Sequence, residues 1–520
     1  MKRLLSVARH AHWNRVLIAS LLSLTFLLTA CGGNTTKSTT ATTKASPASA
    51  DSSESENTDG TTPDATTGTV ADVDRNLYEM DLTLDPENKS IGGTVTVTIL
   101  NDSGFDWPDL CFRDYPSLFL TDPNTGEETD GKVSEISSLT DIATGEVLAI
   151  ERSEKDASII TVPLTEPFKA GEVRAYTFTF TSYVPTIGDR FGNSEGVFNL
   201  SNFYPVLAVY EEDGWVAQPY FAYGECFYSV TADYQVKIAA PEDMTVISSG
   251  DETKGEAGAW TIEAELVRDI AIVVGSGFSV KTGEVGGVAV NCYYLTEDTT
   301  WGDVALTAAS TSITSFEETF GEYPYPEVDV VQTYLAAAGM EYPSLIMITT
   351  YLGTSPDPDG SLSVVIAHEL AHQWFYGMVG NDQYAEAWLD ESLASYAEFV
   401  YMNSYLEPAV VAERAQQMED SMKTEGMPMA RADFRLNAAY NEFEGDYDYV
   451  YSAYYCGKVF IYRLWQQMGD EAFDTMIKEY VATYTNKIAT TQDFVDIVKK
   501  HAPDNAEVNT ILDLYLDAEI

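Results

Sequence analysis

This 520-residue chain has only five histidines and five cysteines. The cysteines, at 31, 111, 226, 292 and 456, are widely scattered and show no C-x-x-C spacing, which excludes a cysteine zinc site and leaves any disulfide pairing unread. Basic residues are also few: 29 Lys+Arg stand against 81 Asp+Glu, a formal net charge of −52. Such acidity excludes nucleic acid as a partner and argues against electrostatic docking on anionic lipid. It fits a well-solvated surface outside the cell. The apolar run Val16–Leu28 falls short of the roughly 20 residues that a membrane-spanning helix needs. No internal repeat is apparent. What the chain has in quantity is apolar and aromatic content, 45% and 12%, with 32 tyrosines suited to half-buried strands and wet clefts. That is enough to build two globular domains plus tails.

The N-terminus stands apart. Lys2, Arg3, Arg9 and Arg15 precede the apolar run, and Leu28-Thr29-Ala30-Cys31 closes it ahead of Gly32-Gly33. This resembles a bacterial lipoprotein signal, which implies a signal peptide over 1–30, lipidation of Cys31 and a site at the cell membrane facing the extracytoplasmic side. Loss of the four basic residues takes Lys+Arg from 29 to 25 against 81 acidic residues, a net of −56. Residues 31–70, rich in Ser, Thr, Ala, Asp and Gly, cannot bury enough surface to fold and read as a disordered tether.

From 71 to 283 the pattern is that of strands. Thr94-Val-Thr-Val-Thr-Ile99 and Tyr176-Thr-Phe-Thr-Phe-Thr181 alternate with period two, as do segments near 234–238, 260–264 and 270–274. The expectation is an antiparallel β-sandwich or saddle-shaped domain. A turn-rich stretch, 282–287, marks the boundary, and Val288–Leu295 opens the second domain, 284–520, as a strand. From Thr300 the period becomes helical, with helices expected at 301–320, 361–376, 385–403, 408–423, 450–468, 470–484, 491–501 and 504–517, and a buried strand at Val328–Tyr334. The fold class is therefore α+β.

Two of the five histidines lie in His-Glu-Leu-Ala-His-Gln-Trp, residues 368–374. On a helix, His368 and His372 sit about one turn apart and can reach one metal ion. Glu391 follows His372 after eighteen intervening residues. Two imidazoles and a carboxylate with one open position make the ligand set of a hydrolytic zinc, so His368, His372 and Glu391 are expected to hold one Zn2+ per chain. Glu369 is then placed to take a proton from a water on the metal and pass it to a leaving amine. A tyrosine near 447–455 is expected to donate to the oxyanion.

His-Glu-Leu-Ala-His-Gln-Trp together with Trp388-Leu-Asp-Glu-Ser-Leu-Ala394 resembles the zinc aminopeptidases of the aminopeptidase N type, a branch of the gluzincins. Ala338-Gly339-Met340-Glu341-Tyr342 is similar to their G-A-M-E-N or G-G-M-E-N motif, and Tyr454-Tyr455-Cys456-Gly457 to their Y-x-K-G. The resemblance covers about residues 71–520. It implies a thermolysin-like, mainly helical zinc metallopeptidase domain, with peptide substrates and removal of N-terminal residues. It further implies that Glu341 binds the free α-amine, that Gly339 and Met340 run along the substrate backbone, and that Tyr454 is the oxyanion donor, with Tyr451 and Tyr455 as its neighbours. The chain departs from the pattern at Tyr342, Ala338 and Cys456, which stand for Asn, Gly and Lys. It ends soon after the catalytic motifs, which implies a short member without the large C-terminal helical domain of many relatives. Two other readings stand beside it: an endopeptidase on the same scaffold, and a non-catalytic peptide-binding lipoprotein.

Overall fold

The period-two runs become strands whose inward side chains alternate. Asn76–Asp85 turns Tyr78, Met80, Leu82 and Leu84 into the core and leaves Glu79, Asp81 and Thr83 outside. The structure, a computed structural model, describes residue 70 and residues 73–519 apart from 124, 222, 223, 225, 226 and 296. The expected signal peptide, Cys31 and the tether up to residue 69 lie outside the described residues.

A seven-stranded sheet runs in the order Asp251–Lys254, Ala259–Val267, Ala232–Ala239, Asn76–Asp85, Ser90–Leu100, Val173–Tyr183 and Ser134–Asp141. Two four-stranded sheets accompany it. One centres on Trp107–Arg113 and Ile159–Phe168, the other on Val197–Ser201 and Ala271–Gly275. All three sheets contribute to a single apolar core, including Val95, Phe112, Val162, Phe178, Leu200 and Ile272. The expectation of a wholly antiparallel domain needs one correction: Asn76–Asp85 runs parallel to Ala232–Ala239. A long excursion of chain separates these strands, so no hairpin imposes an antiparallel sense. Tyrosine serves this core directly. Tyr78 stacks on Tyr234 with centroids 4.8 Å apart, and the Tyr204 hydroxyl donates to that of Tyr234 at 3.1 Å.

The second half holds more sheet than its sequence suggests. Five strands run in the order Ser279–Val285, Val288–Tyr294, Glu327–Thr333, Leu345–Thr349 and Gly339–Met340. The three central ones are parallel and the two edges antiparallel. The sheet takes its first strand from Ser279, ahead of the 283/284 boundary read from the sequence, and the turn falls at Gly286–Gly287, both at positive φ. Helices Thr300–Phe320, Ser361–Ala371 and Trp388–Asn403 share one core with the sheet, through Ile346, Ile348, Ile313, Phe316, Leu362, Ile366, Leu370 and Leu393. Among the described residues no helix is long and apolar enough to cross a membrane. Cys111, Cys292 and Cys456 are free and buried.

The two halves fall within one compact unit, Gly68–Ile520, and Arg268 is one joint between them. Its buried guanidinium donates to four backbone carbonyls: Ser229, Tyr376, Met378 and Lys487. Gly380 lets the guanidinium lie flat against the chain, since a Cβ there would stand 2.2 Å from the Arg268 Cζ. Burial lowers the Arg268 pKa, but an arginine stays charged at any physiological pH. Replacing Arg268 by Met would leave four carbonyl acceptors without their donor, those of Ser229 and Tyr376 in buried contacts, so Arg268→Met is expected to cost at least ~3 kcal/mol in denaturant unfolding. A loss under ~1 kcal/mol would mean that the carbonyls find other donors and that the joint lies elsewhere.

Candidate metal centre

The first donor helix, Ser361–Ala371, carries His368 on its last turn and ends just before His372. It stops short of the expected residue 376 because residues 372–379 close a tight turn. Gly377 N–H donates to His372 C=O at 2.8 Å, Val379 N–H to Trp374 C=O at 2.9 Å, and Tyr376 sits at φ 122°. Trp374 pins that turn, fully buried, with Nε1 donating to Gly321 C=O at 3.0 Å. The second donor helix starts at Trp388, three residues later than expected. Asp382 Oδ1 accepts from the N–H groups of Tyr384 and Ala385 and holds the preceding stretch in a turn. Glu391 thus falls in the first turn of its helix, where the unpaired N–H groups and helix dipole favour a carboxylate.

The three side chains meet. His368 Nε2 lies 3.3 Å from His372 Nε2 and 3.3 Å from Glu391 Oε2, and His372 Nε2 lies 3.6 Å from the same oxygen. Donors about 2.0–2.2 Å from a shared ion at the corners of a tetrahedron stand roughly 3.3–3.6 Å apart. The spacing fits a small four-coordinate metal. Among the described residues Glu391 Oε2 is buried without a hydrogen-bond donor, so one charged atom has its remaining valence turned to that point. Both imidazoles are held by their other nitrogens: His368 Nδ1 is 3.2 Å from Glu398 Oε1, and His372 Nδ1 is 3.0 Å from Phe375 C=O. Nδ1 is therefore the protonated nitrogen, which leaves each Nε2 lone pair for a metal.

Charge balance tells the same story. Burial alone would lower the His368 pKa, but contacts to Glu391 and Glu398 outweigh it and raise the group to about 9. Burial likewise pushes Glu391 up, yet His368 and His372 bring it down to about 2. Without a metal, protons supply the positive charge that the carboxylates need, and a metal entering the site displaces them.

The other expected residues surround this point. Glu369 is buried, and Gly339 packs against its carboxylate so closely that a Cβ at 339 would stand 2.3 Å from Oε1. Gly339–Met340 pairs with Leu345–Thr349 as the edge of the five-stranded sheet. Glu341, 7% exposed, follows that edge, and its charge raises the pKa of both His372 and Tyr454, although burial is the larger influence on each. A cavity of about 10 Å³ beside it is lined by Phe227, Met340, Tyr342, Tyr376 and Gln383. Tyr454 donates to Glu391 Oε1 at 2.5 Å, and its ring stacks on His368 with centroids 5.7 Å apart. Burial and the Glu391 charge raise its pKa well above the usual range, so the hydroxyl remains a donor at neutral pH. Tyr451 and Tyr455 instead contact each other and pack on the helical core. Tyr454 is singled out by a π-helical turn, Tyr451–Cys456, that interrupts the expected 450–468 helix.

Three residues were not read from the sequence. Glu398 reaches His368 and also binds Lys458 Nζ at 2.5 Å. Seven residues after Glu391, it is two helical turns on along the same face, and that spacing was the available signal. Lys458, buried, carried no local signal at all. Asp390, 1% exposed, accepts the Glu391 N–H at 2.8 Å, and burial followed by the Glu391 charge raises its pKa to about 8.

Residues 304–515 match the peptidase family M1 domain. Over 251 residues the chain is 24% identical to Aminopeptidase M1-B of Oryza sativa subsp. japonica, covering 45% of this chain and 27% of that protein. It is 25% identical to the alanine/arginine aminopeptidase of Saccharomyces cerevisiae, covering 52% of this chain and 33% of the relative. The matches thus span about a third or less of these relatives' own length. In three dimensions it is similar to an M1 zinc metallopeptidase from Deinococcus radiodurans, with a TM-score of 0.61 at 19% identity over 85% of this chain and 94% of that one. A form of that metallopeptidase bound to a Tyr-Ser-Ala substrate gives a TM-score of 0.58 at 19% identity, over 86% and 95% of the two chains. At such identities the structural likeness speaks to the fold, a mainly β region followed by a helical peptidase region. Residues 304–515 thus carry a peptidase family M1 domain, in a chain whose fold is similar to that of M1 zinc metallopeptidases.

Proposed function

We propose that this protein is a zinc-dependent aminopeptidase, tethered outside the membrane through a lipid on Cys31. The observation that carries the reading is the convergence of His368, His372 and Glu391 on one point that Glu369, Glu341 and Tyr454 also surround. The similarity to named aminopeptidases and to the zinc metallopeptidase of Deinococcus radiodurans, one form of which holds a Tyr-Ser-Ala substrate, supports zinc and peptide substrates. Bound zinc would polarise the scissile carbonyl and acidify a water. The protein supplies the rest. Glu369 takes the proton from the attacking water and gives it to the departing amine, so the carboxylate is regenerated as the peptide bond breaks. Tyr454, held protonated by its buried setting, donates a hydrogen bond to the oxygen that gains charge. Glu341 pairs with the substrate's ammonium and fixes its register.

The metal and the base separate experimentally. His372→Ala is expected to lose most of the zinc measured by elemental analysis, whereas Glu369→Gln keeps it and lowers kcat at least ~100-fold. Zinc affinity in the parent should fall on acidification, because protons compete for the imidazoles. Full zinc in His372→Ala would place the site elsewhere.

Exopeptidase action depends on Glu341. Acetylated peptides should resist cleavage, and Glu341→Ala should lower kcat/KM on free peptides about ten- to a hundred-fold with zinc unchanged, as loss of a charge-assisted contact of roughly 1.5–3 kcal/mol implies. Equal cleavage of acetylated and free peptides would make the enzyme an endopeptidase instead.

The Leu28-Thr29-Ala30-Cys31 segment supports the lipid anchor. The parent should fractionate with membranes and Cys31→Ser should not; equal partition of both would remove the anchor from this reading.

A further inference from the structure

A second group of acids lies away from the metal centre, where the β region meets the catalytic sheet. Glu327 and Asp329 alternate along Glu327–Thr333 and so share one face of it. Asn291, directly opposite Asp329 on the neighbouring strand, donates through Nδ2 to Asp329 Oδ1 at 3.0 Å. The edge strand Asp251–Lys254 of the seven-stranded sheet brings Glu252 over that face. Carboxylate oxygens of Glu252, Glu327 and Asp329 all lie within 4.8 Å of one another.

Asp329 makes this more than a patch of surface charge. It is 1% exposed, and its Oδ2 is buried without a hydrogen-bond donor among the described residues. Acidic surface clusters relax by spreading into water, but this one is fixed by two sheets and partly shut from solvent. No ammonium or guanidinium among the described residues stands beside the three acids. Burial first, then mutual repulsion, raises the pKa of Glu252 and Asp329, so the trio keeps protons unless a cation takes their place.

We infer that Glu252, Glu327 and Asp329 bind a divalent cation of the hard, oxygen-preferring kind, with calcium the best fit, and that this cation clasps the β region to the catalytic sheet. All-oxygen donors with no His or Cys select calcium over zinc, and the remaining positions are open to water. The clasp sits on a hydrogen-bonded joint. Asp329 N–H donates to Ser344 C=O, Gly250 N–H to Ser344 Oγ, and Ser344 N–H to Gln373 Oε1, each at 2.8 Å. The site stands apart from the zinc chemistry and does not rest on the peptidase reading.

The test uses the full chain loaded with zinc, with terbium luminescence sensitised by the protein's aromatic residues and competed by calcium. One calcium per chain is expected, with a Kd on the order of 10⁻⁴–10⁻³ M or tighter. Saturating calcium should raise Tm by roughly 2 °C or more. Glu252→Gln, at a half-buried position on an otherwise exposed edge strand, should fold normally and weaken calcium at least ~10-fold; Asp329→Asn should do the same or abolish binding. If Asp329→Asn does not fold, Glu252→Gln decides. Absence of calcium binding at ~10 mM, or affinity unchanged in Glu252→Gln, would overturn the inference and leave the trio as acids that share protons.

Discussion

Three donors must meet within 3.3 to 3.6 Å of one another, and each of them repels or dehydrates the others unless the surroundings compensate. Much of the catalytic half can be understood as the means of holding that meeting. The histidines come from the end of one helix and the carboxylate from the beginning of another, so the two helices must pack closely at opposite polarities. The turn after His372 and the buried Trp374 lock the first approach; Asp382 and the delayed start at Trp388 set the second. Glu398 and the Phe375 carbonyl then fix the rotation of each ring. Lys458 balances Glu398 in turn, so charge alternates outward from the centre.

How much of this was legible depended on whether the cause was local. The two histidines and Glu369 are specified by spacing along one helix, and Glu391 by its distance from them. Strands such as Ser90–Leu100 and Val173–Tyr183 announced themselves by alternation because one face of each is buried against a common core. The parallel pairing of Asn76–Asp85 with Ala232–Ala239 left no such mark, since register and sense between distant strands are decided by packing. The same holds for Gly339–Met340 and Leu345–Thr349, short buried strands whose continuous apolar character has no period to read. Lys458 was invisible for another reason: a lysine's reach is long, and its partner is fixed only once two helices cross.

The β region bears on this centre without supplying any of the three donors. Arg268 ties it to the carbonyls of Tyr376 and Met378, in the same turn that ends the first donor helix, and to Lys487. Asn199 accepts from Thr333 Oγ1 at 2.6 Å and donates to Tyr334 C=O at 3.0 Å, which fixes the strand leading toward Gly339. Apart from the Thr333 hydroxyl, the partners on the catalytic side are backbone carbonyls, so these contacts constrain position more than side-chain identity. Sequence around these acceptors can drift while the joint persists.

The π-helical turn at Tyr451–Cys456 has a mechanical meaning. A turn of this kind holds one residue more than an α-helical turn, and each helical residue advances the side-chain direction by about 100°. Residues before and after it therefore point along bearings that a continuous helix could not offer together. Tyr454 faces Glu391, while Gly457 lies against Ser392, where even a Cβ would come within 1.9 Å of the serine hydroxyl oxygen. Ser392 Oγ spans the same crossing and donates to the Ala453 carbonyl at 2.7 Å. The inserted residue works as a phase shift in a screw: it lets one helix satisfy a close crossing at its glycine and still aim a phenol at the metal centre one turn earlier.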